Sequence, residues 1–253
     1  MKEKRINLID YYIQSVGVCS MEELCNHFNI SISTLRRDIN TLLIQNRVQK
    51  IYGGVTSLTQ NQQVIPFENR DIINKKEKSS IAEKAAEFIN SNELIFIDSG
   101  TTVRELLKFL PKGVTKLTVL TNNLDIINYI ADYRSDINLI TLGNFYKSST
   151  RSFVGNDTVH LIDKYNINKA FMAATAVSIE NGLTNSDVQE FEIKKKIIAR
   201  ANSAYLLVDI SKFDSSTLLT YAQLSDIKGI ITSERPPENY VSFCKQNGVQ
   251  LIY

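Results

Sequence analysis

Residues 31–39 read Ser31-Ile32-Ser33-Thr34-Leu35-Arg36-Arg37-Asp38-Ile39. Ser31 suits the position that caps a helix N-terminus, because its hydroxyl can accept an orphan backbone N–H of the first turn. Ile32, Leu35, Ile39 and Leu42 then recur at the spacing of one buried helical stripe. With that stripe turned inward, Ser33, Thr34, Arg36 and Arg37 are left outward on the first two turns. Arginine can pair bidentately with guanine O6 and N7, and a Ser or Thr hydroxyl can take a base edge or a phosphate. Asp38 stands beside the arginines, where it is expected to orient them.

The flanks fit the same reading. Upstream, Ser20-Met21-Glu22-Glu23 forms a capping box that opens a shorter helix with Leu24 and Phe28 facing inward. Asn29 suits the turn between the two helices. Further upstream Ile6, Ile9, Tyr12, Ile13 and Val16 mark a first helix, ended by Gly17. Two short helices about a tight turn form a helix-turn-helix pattern, in which the second helix enters the DNA major groove. Downstream, residues 47–57 read as two strands about Gly53-Gly54. A hairpin behind a recognition helix is a wing, and Arg47, Lys50 and Tyr52 are expected to meet the phosphate backbone. Residues 1–57 hold seven Lys/Arg against five Asp/Glu, so the net charge of +2 for all 253 residues resides there.

The remainder differs in character. Residues 58–66 are polar and rich in Gln and Asn, a linker composition. A long helical pattern follows over 67–90, with Ile72, Ile81, Ala85, Phe88 and Ile89 inward. Strand-like apolar runs at 94–97, 117–120, 138–142, 170–173, 205–208, 229–232 and 249–252 then alternate with helical patterns at 102–110, 124–131, 157–165, 189–201 and 238–246. Such alternation implies a mainly parallel sheet covered on both faces. Ligands of such sheets bind outside the carboxyl ends of the strands. There the chain carries Asp98-Ser99-Gly100-Thr101-Thr102, Thr121-Asn122-Asn123, and Asp209-Ile210-Ser211-Lys212. Gly100 is expected to let the backbone approach a ligand. Amides at the helix start, with the Ser99, Thr101 and Thr102 hydroxyls, form an anion cradle. Lys212, just past a strand end, is a candidate contact for an anionic ligand.

Composition excludes other classes. The chain is 43% hydrophobic and 22% charged, which is unlike a disordered chain. No apolar run reaches membrane-spanning length, and the first residues contain no apolar core of a secretory signal. Three cysteines and two histidines supply neither zinc-ligand spacing nor an even disulfide set, so neither a metal nor a cofactor is expected. A reducing cytoplasm is the simplest compartment.

The run Ser33–Ile39 followed by Tyr52-Gly53-Gly54 resembles the winged helix-turn-helix of the DeoR family of bacterial transcription regulators. The stretches 78–86, 98–102, 121–123, 182–184, 190–194 and 211–213 resemble the family's sensor domain, so the likeness covers nearly the whole chain. It implies an α/β sensor similar in fold to ribose-5-phosphate isomerase, which responds to phosphorylated sugars or related metabolites. By that resemblance Lys78 and the Ser99–Thr102 loop serve the phosphate. Asp98, Asn122, Glu190 and Lys212 serve the sugar end. Three departures stand out: Thr175 within Ala173-Ala174-Thr175-Ala176 replaces a carboxylate, and Asn144 and Asp214 replace glycines.

The expected organisation is a winged helix-turn-helix over 1–57, a linker over 58–74 and an α/β sensing and oligomerisation domain over 75–253. The expected function is a regulator, generally a repressor, of a carbohydrate operon. Its partners are double-stranded operator DNA, a small phosphorylated metabolite and further copies of itself as dimer or tetramer, with no membrane. Two other readings compete. One is a DNA-binding protein whose second domain only oligomerises. The other is a sugar-phosphate isomerase using Glu190 as base, against which the missing carboxylate at Thr175 counts.

Overall fold

The computed structural model describes residues 2–58 and 67–253. They fall into two compact units, Met1–Ile65 and Pro66–Tyr253. The residues 59–66 of the expected linker, and the Val16 side chain, lie outside the described residues.

The smaller unit runs α1 (Lys2–Val16), β1 (Val18–Ser20), α2 (Met21–Phe28), α3 (Ile32–Ile44), β2 (Val48–Ile51) and β3 (Gly54–Ser57). The capping box at Ser20 is formed, with the Ser20 N–H donating to Glu23 Oε2 at 2.7 Å and the Glu23 N–H to Ser20 Oγ at 3.1 Å. Ser31 caps α3 by accepting the Thr34 N–H. Ile6, Ile9, Ile13, Leu24, Leu35, Ile39 and Leu42 close one core beneath the three helices. The wing is a three-stranded sheet, because β1 adds to the far edge of β3. That three-residue strand is too short to carry a readable alternation.

The larger unit begins with α4 (Phe67–Ile72) and α5 (Lys75–Ala86), followed by β4 (Leu94–Ile97) and α6 (Thr101–Arg104) with a 3₁₀ turn to Lys108. Next come β5 (Thr118–Thr121), α7 (Leu124–Tyr133), β6 (Asn138–Thr141), β7 (Phe145–Lys147), β8 (Ser152–Val154) and α8 (Asn156–Ile162). Then follow β9 (Ile167–Met172), β10 (Ala176–Ser178), β11 (Gly182–Asn185), α9 (Val188–Arg200), β12 (Ala201–Leu207), β13 (Leu219–Ala222), β14 (Gly229–Ile231), α10 (Glu238–Asn247) and β15 (Gln250–Ile252).

All seven apolar runs form one parallel sheet, in the order β15-β14-β12-β9-β4-β5-β6. Its two faces make two cores. Phe96, Ala170, Met172 and Leu206 pack against residues of α8, α9 and α10. Ile95, Ile97, Phe171 and Leu207 pack against α5, α6 and α7. Successive residues alternate between the cores, as a strand with period two requires. The chain turns back in direction between β4 and β9, which is the topological switch point of such a sheet.

The expected single helix over 67–90 is instead two. It breaks at Asn74, whose φ of 53° lies in the left-handed region. The Asn74 side chain donates to Asp209 Oδ1 at 3.1 Å, which holds the break in place. The break shifts the buried register, so Ile72 is exposed and Ile73 buried. Phe67 is buried and α4 belongs to the unit that starts at Pro66, earlier than the expected residue 75.

Candidate DNA-binding face and effector site

On α3, Ser33, Arg36 and Arg37 are exposed, as the buried stripe demands. The Ser33 and Thr34 hydroxyls each lie 3.0 Å from Ser31 Oγ, so the helix start is ordered by its own cap. Lys50 is exposed on β2, and Tyr52 stands fully exposed in the wing turn. Gly53, beside Tyr52, takes a φ of 82°, which permits the two-residue turn.

Three expectations on this unit are corrected. Ile32 is 43% exposed, because the first turn of α3 projects beyond the core. Asp38 does not orient the arginines; it is buried and accepts Arg5 Nε at 2.7 Å and Nη2 at 3.2 Å, tying α1 to α3. Arg47 is not free for a phosphate. It forms an ion pair with Asp10, which is fully buried on α1, and donates to Asn7 Oδ1 at 3.1 Å. Burial pushes the Asp10 carboxyl up, and Arg47 and Gln14 pull it back only in part. Arg47→Ala is therefore expected to cost the small unit about 2–3 kcal/mol, measured by thermal unfolding, with recovery on adding Asp10→Asn. The salt dependence of DNA binding should be unchanged in that variant.

In the larger unit the candidate residues gather at the switch point. The Asp98 carboxylate, just beyond β4, accepts the Ser99 N–H and, just beyond β9, the Ala173 N–H, each at 2.8 Å. It also forms a buried ion pair with Lys194 of α9. Lys194 Nζ donates to Ala173 O at 3.0 Å and sits 5.6 Å from the Tyr221 ring centroid. Burial and the Asp98 charge raise the Tyr221 hydroxyl well above its usual range, and that hydroxyl donates to Ala173 O at 3.0 Å. Glu190 Oε1 accepts from Ser99 Oγ at 2.7 Å and from Ser152 Oγ at 2.8 Å. Asn122 is buried; its Nδ2 donates to Phe153 O at 3.1 Å, and its Oδ1 has no hydrogen-bond partner among the described residues. Thr101 and Thr102 are buried at the start of α6.

A cationic group adjoins this network. Lys78 is buried on α5 and donates to Arg70 O. Burial brings its ammonium down to about 8; Asp209 and Asp71 favour the charge, while Lys212 and Arg70 oppose it. Burial also pushes the Asp209 carboxyl up, but Lys212, the Ser211 hydroxyl, Lys78 and Asn74 outweigh it and hold it low. Burial lowers the Arg70 guanidinium, against the opposing pull of Glu190, Asp98 and Asp71. Arg70, Lys78, Lys194 and Lys212 thus share one electrostatic neighbourhood with Asp98, Glu190 and Asp209. Such a set can hold an anion at its cationic side and hydroxyl groups at its acceptor side.

The model of the DeoR-like helix-turn-helix domain matches residues 5–61, and that of the DeoR C terminal sensor domain matches residues 73–234. The HTH-type transcriptional regulator IolR of Bacillus subtilis (strain 168) is 49% identical over 249 residues, covering 98% of each chain. The chain belongs to the DeoR family. It is a transcription regulator with a DNA-binding domain and a sensor domain, and its relatives are regulators rather than enzymes. The L-fucose operon activator of Haemophilus influenzae (strain ATCC 51907 / DSM 11121 / KW20 / Rd) is 28% identical over 98% of each chain. The glycerol-3-phosphate regulon repressor of Escherichia coli (strain K12) is 28% identical over 98% of this chain and 97% of its own. A D-ribose-5-phosphate isomerase solved with phospho-erythronic acid overlaps with a TM-score of 0.41 at 19% identity, over 55% of this chain and 54% of that one. This regulator thus spans about half of that enzyme's length. Among the described residues no helix is long and apolar enough to cross a membrane.

Three DeoR-family departures now have physical settings. Thr175 is exposed and donates to Asn185 Oδ1 at 3.0 Å. Asn144 Nδ2 donates to Asp157 Oδ2 at 3.3 Å. Asp214 takes a φ of 52°, the conformation for which a glycine is suited, and its carboxylate accepts the Tyr240 hydroxyl at 2.9 Å. Gly100 has a packing role within the fold. A Cβ there would come within 2.2 Å of Ala173 Cβ, so the glycine serves the close approach of two strand-end loops.

Two residues of the neighbourhood escaped the sequence reading. Arg70 fell within the expected linker. Lys194 lies one helical turn beyond Glu190, on the same face of α9, and that i, i+4 spacing was the available signal.

Proposed function

We propose that this regulator controls an operon of sugar or carbohydrate metabolism in the cytoplasm, as a repressor released from its operator by a phosphorylated sugar or related metabolite. The observation that carries the reading is the meeting of Arg70, Lys78 and Lys212 with Asp98, Asn122 and Glu190 at the carboxyl ends of β4, β5, β9 and β12. Cations suit the phosphate, and the carboxylates and the unpartnered Asn122 Oδ1 suit sugar hydroxyls. Ser33, Thr34, Arg36, Arg37, Lys50 and Tyr52 form the DNA-facing set. A homodimer or homotetramer presents two recognition helices to half-sites about 34 Å apart, or a multiple of that distance. The effector acts through its difference in affinity between two arrangements, about 1–3 kcal/mol.

Sequencing genomic DNA bound by the chain names the operon. A panel of phosphorylated metabolites, screened by thermal shift and by release of that DNA, then names the effector. Lys212→Ala is expected to bind DNA unchanged and to need at least about tenfold more effector for release. A normal response in Lys212→Ala refutes the effector site as drawn. One observation favours the rival reading of a sensor unit that only oligomerises: Asp98 and Lys194 already satisfy each other. Absence of any thermal shift across the panel would support it.

A further inference from the structure

The two recognition-helix arginines project in different directions. At about 100° per residue, the side of α3 opposite the buried Leu35 and Leu42 carries Ser33 and Arg37. Arg36 is rotated off that outward direction, onto a stripe shared with Ile39 and Leu43. This stripe faces the wing. Arg36, Ile39 and Leu43 line a cavity of about 340 Å³ together with Met21, Lys50 and Val55. Lys50 reaches it because β2 alternates: Val48 and Lys50 share a face, and Lys50 stands across the ladder from the buried Val55. Among the described residues no carboxylate lines the cleft.

We propose that this cleft seats one sugar–phosphate strand of the DNA duplex, with a phosphate clamped between Arg36 and Lys50. The partly exposed Met21 and Leu43 on its floor receive the deoxyribose edge. The occupant follows from geometry and charge. Around a duplex the major groove, a backbone strand and the minor groove follow in turn. A helix in the major groove and a hairpin reaching the neighbouring minor groove must straddle the strand between them. Two cations at the rim and carbon on the floor match that strand's chemistry. Arg36 and Lys50 then supply affinity without regard to sequence, and Arg37 with Ser33 reads the bases. The division rests on the DNA-binding reading of this unit.

The test uses the full chain and two duplexes of equal length. One is selected by the unaltered protein from a random-sequence pool, and the other is its scrambled counterpart. Binding is followed by fluorescence anisotropy from about 50 to 200 mM salt, with circular dichroism confirming the fold of each variant. Arg36→Ala and Lys50→Ala should weaken both duplexes by the same factor and lower the slope of log affinity against log salt by about one per bound subunit. Arg36→Lys should retain most binding, because a point charge serves a phosphate. Arg37→Ala should collapse the preference for the selected duplex by about 5- to 150-fold per half-site. The proposal is overturned if Arg36→Ala erases sequence preference at an unchanged salt slope, or if Arg36→Lys fails as badly as alanine. Failure of the unaltered chain to select any sequence overturns the DNA-binding reading itself, a result distinct from either.

Discussion

Lys194→Met should destabilise the larger unit by about 3–5 kcal/mol, the cost of leaving one member of a buried ion pair alone. Asp98 and Lys194 are both almost wholly buried, and the Asp98 carboxylate is held in place by two backbone N–H groups. With the ammonium gone, that carboxylate stays aimed into the protein, keeping the Coulombic pull of Arg70 but losing its ion-pair partner. The expected fall in thermal midpoint is about 10 °C by calorimetry. Adding Asp98→Asn removes the stranded charge and should restore a large part of the loss. A fall under about 1 kcal/mol in the single variant would mean that water reaches the pair and that this part of the site is open.

The second large effect has the opposite sign. Lys78→Met is expected to stabilise the effector-free protein near neutral pH. Burial is the main cause that takes the Lys78 ammonium from 10.5 to about 8, so the native chain holds this proton less tightly than the unfolded chain. Below about pH 8 both states are charged and the whole penalty is present, on the order of 3 kcal/mol. Between pH 8 and 10.5 the unfolded chain binds the extra proton, and native stability rises with pH. The advantage of Lys78→Met should therefore be largest at about pH 7 and shrink toward pH 10 in urea titrations. The same variant should lose its effector response. A cation kept at such a cost is what an anion site asks for. A Lys78→Met protein that is less stable at neutral pH would show that the ammonium serves the fold.

Much of the architecture could be read directly from the chain. Seven apolar runs gave seven strands of one sheet, because a strand covered on both faces must be apolar throughout. Ser20, Glu23 and Ser31 announced helix starts through contacts three residues long. The small antiparallel sheets, β7 with β8 and β10-β11-β13, were not legible, since their three- and four-residue strands are too short for a period to register. Asp98 and Ser99 were named from their place after a strand and from a resemblance, Glu190 from the resemblance alone, and the structure joins the three by hydrogen bonds.

The roles of the charged residues were harder to read. Arg36, Arg37, Arg47 and, as the expected orienter of the pair, Asp38 stand in sequence as one DNA-facing group. Two of them are removed from it by partners far away in the chain: Asp38 by Arg5, and Arg47 by Asp10. Lys194 and Asp98 are 96 residues apart, and Arg70 sits on a helix that the expected domain bounds placed in the linker. Local order depends on neighbours within a turn, so caps, stripes and strands are written in the chain. Whether a charge is spent on the protein or left for a ligand depends on which opposite charge folding brings within a few ångströms, and only the packed chain decides that.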